Sequence, residues 1–235
     1  MVLTAAHCLD HGSKNTKIIL NPTPRENLQA NEIFRVIKAK KHPTYELRNA
    51  VTQNPLIVES FEETLGYNDV ALLVADRDFP QDKATPYNLM PTVQNTKPET
   101  ALIAGFGKTT TAKETENFDF KSINGSLKQA YVTLNDESFL SGRILLAQKS
   151  EGGVCKGDSG APLFVNEGGS RKLFAMAIGV FSKISPLDSD LNSVLLENEC
   201  AGFGVYLILG PLQQWIIATE QQLRSASGLF EDLGI

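Results

Sequence analysis

Residues 155 to 163 read Cys155-Lys156-Gly157-Asp158-Ser159-Gly160-Ala161-Pro162-Leu163. Glycines at 157 and 160 permit a tight backbone path, which exposes a serine hydroxyl while neighbouring N–H groups point into one spot. Acyl transfer needs that arrangement: a nucleophile beside donors for the oxyanion that develops on the attacked carbonyl. A Gly-Asp-Ser-Gly run on its own reads more readily as a surface turn. A serine hydroxyl is also a poor nucleophile at neutral pH and requires a general base.

Three histidines are available, His7, His11 and His42. His7 lies in Leu3-Thr4-Ala5-Ala6-His7-Cys8, and His11 in a polar turn with Gly12 and Ser13 that reads as solvated. His42 lies in Lys41-His42-Pro43-Thr44-Tyr45. A histidine base is oriented by a carboxylate, and Asp69 heads the apolar run Val70-Ala71-Leu72-Leu73. A charge at that position is costly without a partner, although an isolated Asn-Asp pair also suits a strand-start turn.

The 235 residues suffice for one large domain or two small ones. Hydrophobic residues make up 42% and charged residues 21%, which is ordinary for a soluble globular chain. The 22 basic and 27 acidic residues give a net charge of −5, so no polybasic footprint for nucleic acid is present. No apolar run approaches the ~20 residues of a membrane span, and no charged n-region with an apolar core opens the chain. Neither a nucleic acid nor a membrane is therefore expected as a partner. Cys8, Cys155 and Cys200 form an odd set, which leaves one thiol over if disulfides form. Reduced cytosolic thiols are the other reading. The three lack zinc-site spacing, so no metal is expected, and no organic cofactor is implied.

Short apolar runs bounded by Pro, Asn, Gly or charge predict strands at 18–20, 33–37, 70–74, 101–105, 127–134, 144–147, 161–165, 174–181 and 204–209. Many short strands favour an all-β sandwich or barrel over alternating βαβ units. The proline-bearing stretch 76–97 reads as a linker between halves. One helix is expected at the C-terminus, where Pro211 suits a first turn and Leu212, Trp215, Ile216, Thr219 and Leu223 recur at helical spacing.

These motifs resemble the chymotrypsin–trypsin family of serine endopeptidases. The run around Ser159 looks like that family's serine signature with Ala161 where a second glycine is usual, and Leu3 to Cys8 matches its histidine motif. His42-Pro43-Thr44-Tyr45 resembles a structural segment, and Gly105-Phe106-Gly107 a Gly-Trp-Gly strand end with Phe in place of Trp. Gly204-Val205-Tyr206 followed by Trp215-Ile216 resembles the last strand and C-terminal helix. The order His7, Asp69, Ser159 is the family's order.

The resemblance implies an all-β fold of two antiparallel six-stranded-type β-barrels with a C-terminal α-helix. Residues 1–88 would form the first barrel, carrying His7 and Asp69, and residues 89–235 the second, carrying Ser159. His7 would be the general base, Asp69 its orienting carboxylate and Ser159 the nucleophile, following the family's template. The N–H groups of Gly157 and Ser159 would form the oxyanion hole. The substrate pocket would comprise Gly153, Val154, Ser182, Ile184 and Gly204. Gly153 stands at the pocket base, so a Lys or Arg side chain would have no counter-charge there. The expected preference is for small or medium apolar residues.

Cys155 and Cys200 match the pair that forms a disulfide beside the pocket. Insertions are expected near 49–66 and 185–199. Partners would be protein or peptide substrates and protein protease inhibitors, in a secreted, extracellular or periplasmic setting. The family pattern also implies strands ahead of Met1, an upstream partner for Cys8, and a freed N-terminus pairing with Asp158. The expectation is therefore a first barrel incomplete at its front end, an unpaired Asp158 and a poorly ordered oxyanion backbone. The alternative function is a non-catalytic or inactive binding or regulatory protein on the same fold, which has no chemical need for all three of His7, Asp69 and Ser159.

Overall fold

The structure, a computed structural model, describes residues 1–10, 12, 16–23, 28–45, 68–89, 99–108, 126–135, 139–140, 142–148, 152–181 and 202–231. Both expected insertions lie outside the described residues.

Eleven strands form two antiparallel sheets among the described residues. The first sheet holds β1 (Val2–Thr4), β2 (Lys17–Ile19), β3 (Ile33–Lys41) and β4 (Ala71–Ala75), in the order β1-β4-β3-β2. The second holds β5 (Thr100–Gly105), β6 (Lys128–Thr133), β7 (Phe139–Leu140), β8 (Arg143–Ala147), β9 (Pro162–Glu167), β10 (Ser170–Phe181) and β11 (Phe203–Ile208). Its order is β6-β5-β9-β10-β11-β8-β7. Register shifts within β3 and twice within β10 bend the sheets, because an extra residue on one strand increases local twist. An α-helix near the C-terminus, α1 (Gln213–Glu231), follows a short 3-10 turn containing Pro211.

All nine predicted strand runs are strands, and the C-terminal helix is present. The two strands not foreseen, β1 and β7, span three and two residues. Runs that short carry too few alternating positions for a period to be read.

Alternation places opposite side chains of β11 in different cores. Tyr206 joins Ile144, Leu146, Leu163, Val165 and Phe174 in the interior of the second sheet. Leu207 and Leu209 instead join Ala5, Val70 and Leu72 of the first half, Met176 of β10, and Leu212, Ile216 and Leu223 around α1. This second cluster is a seam: it glues one sheet to the other and to the helix. The tilted ring contact of His42 and Trp215, with centroids 4.7 Å apart, and the bond from Lys40 Nζ to Gln222 Oε1 at 2.7 Å extend that attachment along α1.

Ile216 is 8% exposed and its neighbour Ile217 is 45% exposed. Ile216→Ala is expected to cost about 2–5 kcal/mol through lost burial and a residual cavity, whereas Ile217→Ala should change stability by less than about 0.5 kcal/mol. Urea unfolding midpoints of the two variants check the contrast.

Candidate active site

Strand pairing is what brings His7 to Asp69. Thr4 of β1 lies opposite Ala71 of β4, so the residues leaving β1 run beside those entering β4. Ala5 and Ala6 are completely buried at this point, and a 3-10 turn, Ala6–Leu9, turns the chain. The His7 main-chain N–H donates to Asp69 Oδ1 at 2.9 Å, and His7 Nδ1 lies 2.6 Å from Asp69 Oδ2. One carboxylate thus grips both backbone and ring of the same residue. Because an ionised carboxylate only accepts, Nδ1 carries the proton and Nε2 of the neutral ring is left as an acceptor.

That acceptor meets Ser159. His7 Nε2 and Ser159 Oγ are 2.7 Å apart, so the hydroxyl donates to the bare nitrogen. Burial works to lower the His7 pKa, but the hydrogen bond and charge of Asp69, with Cys8 beside it, outweigh burial and hold it above the ordinary 6.5. The collar around the site is fixed by Asp10, which takes Lys41 Nζ at 2.6 Å on one oxygen and the Tyr45 hydroxyl at 2.6 Å on the other.

The Ser159 turn is set by its glycines and by β10. Gly157 and Gly160 have φ of 94° and 90°, a left-handed region that side chains disfavour. Gly160 N–H donates to Ala177 O and Ala177 N–H to Ala161 O, both at 2.8 Å, so the turn leans on β10. A Cβ on Gly160 would sit 2.8 Å from Thr4 Oγ1 and 3.4 Å from Ala5 N. The missing side chain is therefore what lets the end of β1 approach the serine turn. Among the described residues, neither the Gly157 nor the Ser159 N–H donates to a protein acceptor.

Asp158 is buried but not unpaired, contrary to the expectation from sequence. Its Oδ1 accepts the Gly107 N–H at 2.7 Å and its Oδ2 the Cys155 N–H at 2.9 Å, with the Phe106 amide as a further donor. Burial raises its pKa, and these amides together with the charge of Lys128 oppose the rise. Gly105 and Gly107 leave the room this requires, since a Cβ on either would overlap the Asp158 carboxylate. Backbone amides can satisfy a buried carboxylate as a side-chain cation would.

Of the expected pocket positions, Gly153, Val154 and Gly204 lie together, with Gln148 packed against both glycines; Ser182 and Ile184 fall outside the described residues. Gln148 was not foreseen. It follows β8 directly and is nearly fully buried, a position whose only sequence signal is an amide at the end of an apolar run. Cys155 is buried, and Cys200, its expected partner, is outside the described residues. Cys8 is exposed and reduced, with Sγ 3.9 Å from the Ser159 carbonyl oxygen. His42 is half-buried and serves packing, its ring tilted against Trp215; His11 is not among the described residues.

Residues 1–193 match the Trypsin family over their whole extent. The chain belongs to the trypsin family. Its two antiparallel sheets and C-terminal helix are accordingly a trypsin-like double β-barrel arrangement. A curated relative, granzyme-like protein 2 of Rattus norvegicus, is 28% identical over 174 residues, covering 72% of this chain and 61% of that protein. The match thus spans about three-fifths of the relative's length.

In this trypsin-family chain, Asp158 ties the Ser159 turn to the end of β5. Asp158→Ala leaves at least two buried N–H groups without an acceptor, a loss of roughly 1–3 kcal/mol for each. The expected outcome is a lower urea midpoint, together with a rate of covalent modification at Ser159 reduced on the order of a hundredfold, the scale of a lost oxyanion donor.

Proposed function

We propose that this protein is a serine endopeptidase that hydrolyses peptide bonds through an acyl-enzyme formed on Ser159. The observation that carries the reading is the unbroken chain Asp69–His7–Ser159, with polar contacts of 2.6 and 2.7 Å between the side chains. In this reading Ser159 Oγ attacks the scissile carbonyl carbon while its proton passes to His7 Nε2. Asp69 holds the ring in the required tautomer and stabilises the imidazolium. The negative charge on the carbonyl oxygen is taken by the Gly157 and Ser159 N–H groups. Collapse of the tetrahedral species breaks the C–N bond, and His7 gives its proton to the leaving amine. Water, deprotonated by His7, then releases the acyl group and restores Ser159.

Family membership supports protein substrates, with protein protease inhibitors as further partners. In the same reading residues 1–88 and 89–235 are the two barrels, Cys155 pairs with Cys200, and the protein works in a secreted, extracellular or periplasmic setting, where disulfides persist. Gly153 at the pocket base supports a preference away from basic side chains.

A fluorophosphonate probe tests the reading. Modification is expected at Ser159, located by peptide mass spectrometry, and is expected to vanish in Ser159→Ala and His7→Ala. A folded chain that takes up no probe would instead favour a non-catalytic binding protein on this fold.

The pH dependence has a defined sign. His7 acts as a base only when neutral, so the modification rate rises with pH as the imidazole loses its proton, through a value above 6.5. Asp69→Asn removes the largest influence that raises this value, so the acid limb of the pH–rate profile should move to lower pH. The plateau should fall by about four orders of magnitude, a figure carried over from the family's template enzyme. An acid limb that stays in place in Asp69→Asn would show that Asp69 does not set the His7 charge.

A further inference from the structure

Gln148 lies against Gly153 and Gly204, two of the positions that the family pattern gives to the substrate pocket. Its Nε2 donates to the Val154 carbonyl at 2.8 Å, and its Oε1 accepts the Val154 N–H at 2.5 Å. Two bonds to one residue's backbone fix the carboxamide plane against the segment that leads into the Ser159 turn. That segment is joined to the turn, because Cys155 N–H donates to Asp158 Oδ2 at 2.9 Å and Asp158 N–H to the Cys155 carbonyl at 3.0 Å.

The glycines on either side show how much space the amide takes. A Cβ on Gly153 would overlap Cγ, Cδ and Oε1 of Gln148. On Gly204 it would fall 2.5 Å from Gln148 Oε1, 3.0 Å from Val154 Cγ2 and 3.1 Å from the Tyr206 ring. The room that glycine opens at these two positions is therefore taken up by a side chain arriving from the end of β8. Gln148 is 4% exposed, and both polar atoms of its amide are engaged by Val154.

We propose that Gln148 is a specificity-determining residue: its carboxamide is the floor of the substrate pocket beside Ser159 and restricts the residue before the scissile bond to a small uncharged side chain such as alanine, serine or valine. This rests on the endopeptidase reading for its substrate and deepens it. A long apolar side chain has to displace the amide and strip the Val154 N–H and carbonyl of their partners. A lysine, arginine or carboxylate side chain meets a neutral group with no counter-charge.

Binding without turnover is the test, so that pocket and chemistry fail separately. The whole chain carrying Ser159→Ala is titrated calorimetrically with acetylated tetrapeptide acids that differ only in ending in Ala, Leu, Phe or Arg. The Ala peptide is expected to bind at least about tenfold more tightly than the Phe peptide, within the range one pocket gives for a few carbons. Adding Gln148→Gly should reverse that order. Equal affinities in the Ser159→Ala protein, no binding of any peptide, or an order unchanged by Gln148→Gly in a cooperatively melting protein would each overturn the proposal.

Should Gln148→Gly fail to fold, the Gln148 side-chain amide resonance in the Ser159→Ala protein decides. It should shift with the Ala peptide, and its invariance at saturation sinks the idea. Loss of fluorophosphonate labelling with the affinity order intact would remove the catalytic reading and leave the pocket standing.

Discussion

Apolar burial between the two sheets, where Ala5, Val70 and Leu72 meet Met176, Leu207 and Leu209, sets the distance between His7 and Ser159. Those two residues sit on turns attached to different sheets and are separated by 152 positions in sequence. Hydrogen bonding alone would not hold them, since the net contribution of one such bond is only about 1 kcal/mol. The seam does so by close packing, in which a displaced contact costs dispersion as well as hydration energy. Helix α1 strengthens it by placing Leu212, Ile216 and Leu223 in the same cluster. The missing Cβ of Gly160 sets how closely β1 can come.

Polar order is layered on this frame from the inside outward. Asp158 is satisfied by backbone amides at 2.7 and 2.9 Å, which fixes the loop whose next residue is Ser159. Asp69 is satisfied by the backbone and ring of His7, which fixes the tautomer. Each carboxylate is buried, and each has its hydrogen-bond donors already in place in the fold. The two acids thus work in parallel, one on each side of the seam.

The strand pattern was readable because its apolar runs are short, separated and bounded by turn residues, and the candidate triad because each member sits in an extended local motif. Leu3 to Cys8 and Cys155 to Leu163 carry far more information than any single His or Ser. What escaped the sequence shares one physical property: its meaning depends on backbone partners. Asp158 looked unpaired because its donors are the amides of Gly107 and Cys155, and an amide leaves no mark in side-chain identity. Gln148 looked like any polar residue after a strand, since its binding to Val154 backbone exists only once β8 and the 152–155 segment are side by side. Ser182, Ile184 and Cys200 lie outside the described residues.

The 2.7 Å contact between His7 and Ser159 crosses the seam, so it depends on how the two sheets are held together. A slight parting of the two sheets would leave every strand ladder intact, because each ladder is internal to one sheet. The same movement would break the contact at once, since hydrogen bonds weaken steeply with stretching and misalignment. The contact is therefore a gauge of how closely the two sheets are docked, and it would fail under mild perturbation while the optical signature of the β-structure persisted.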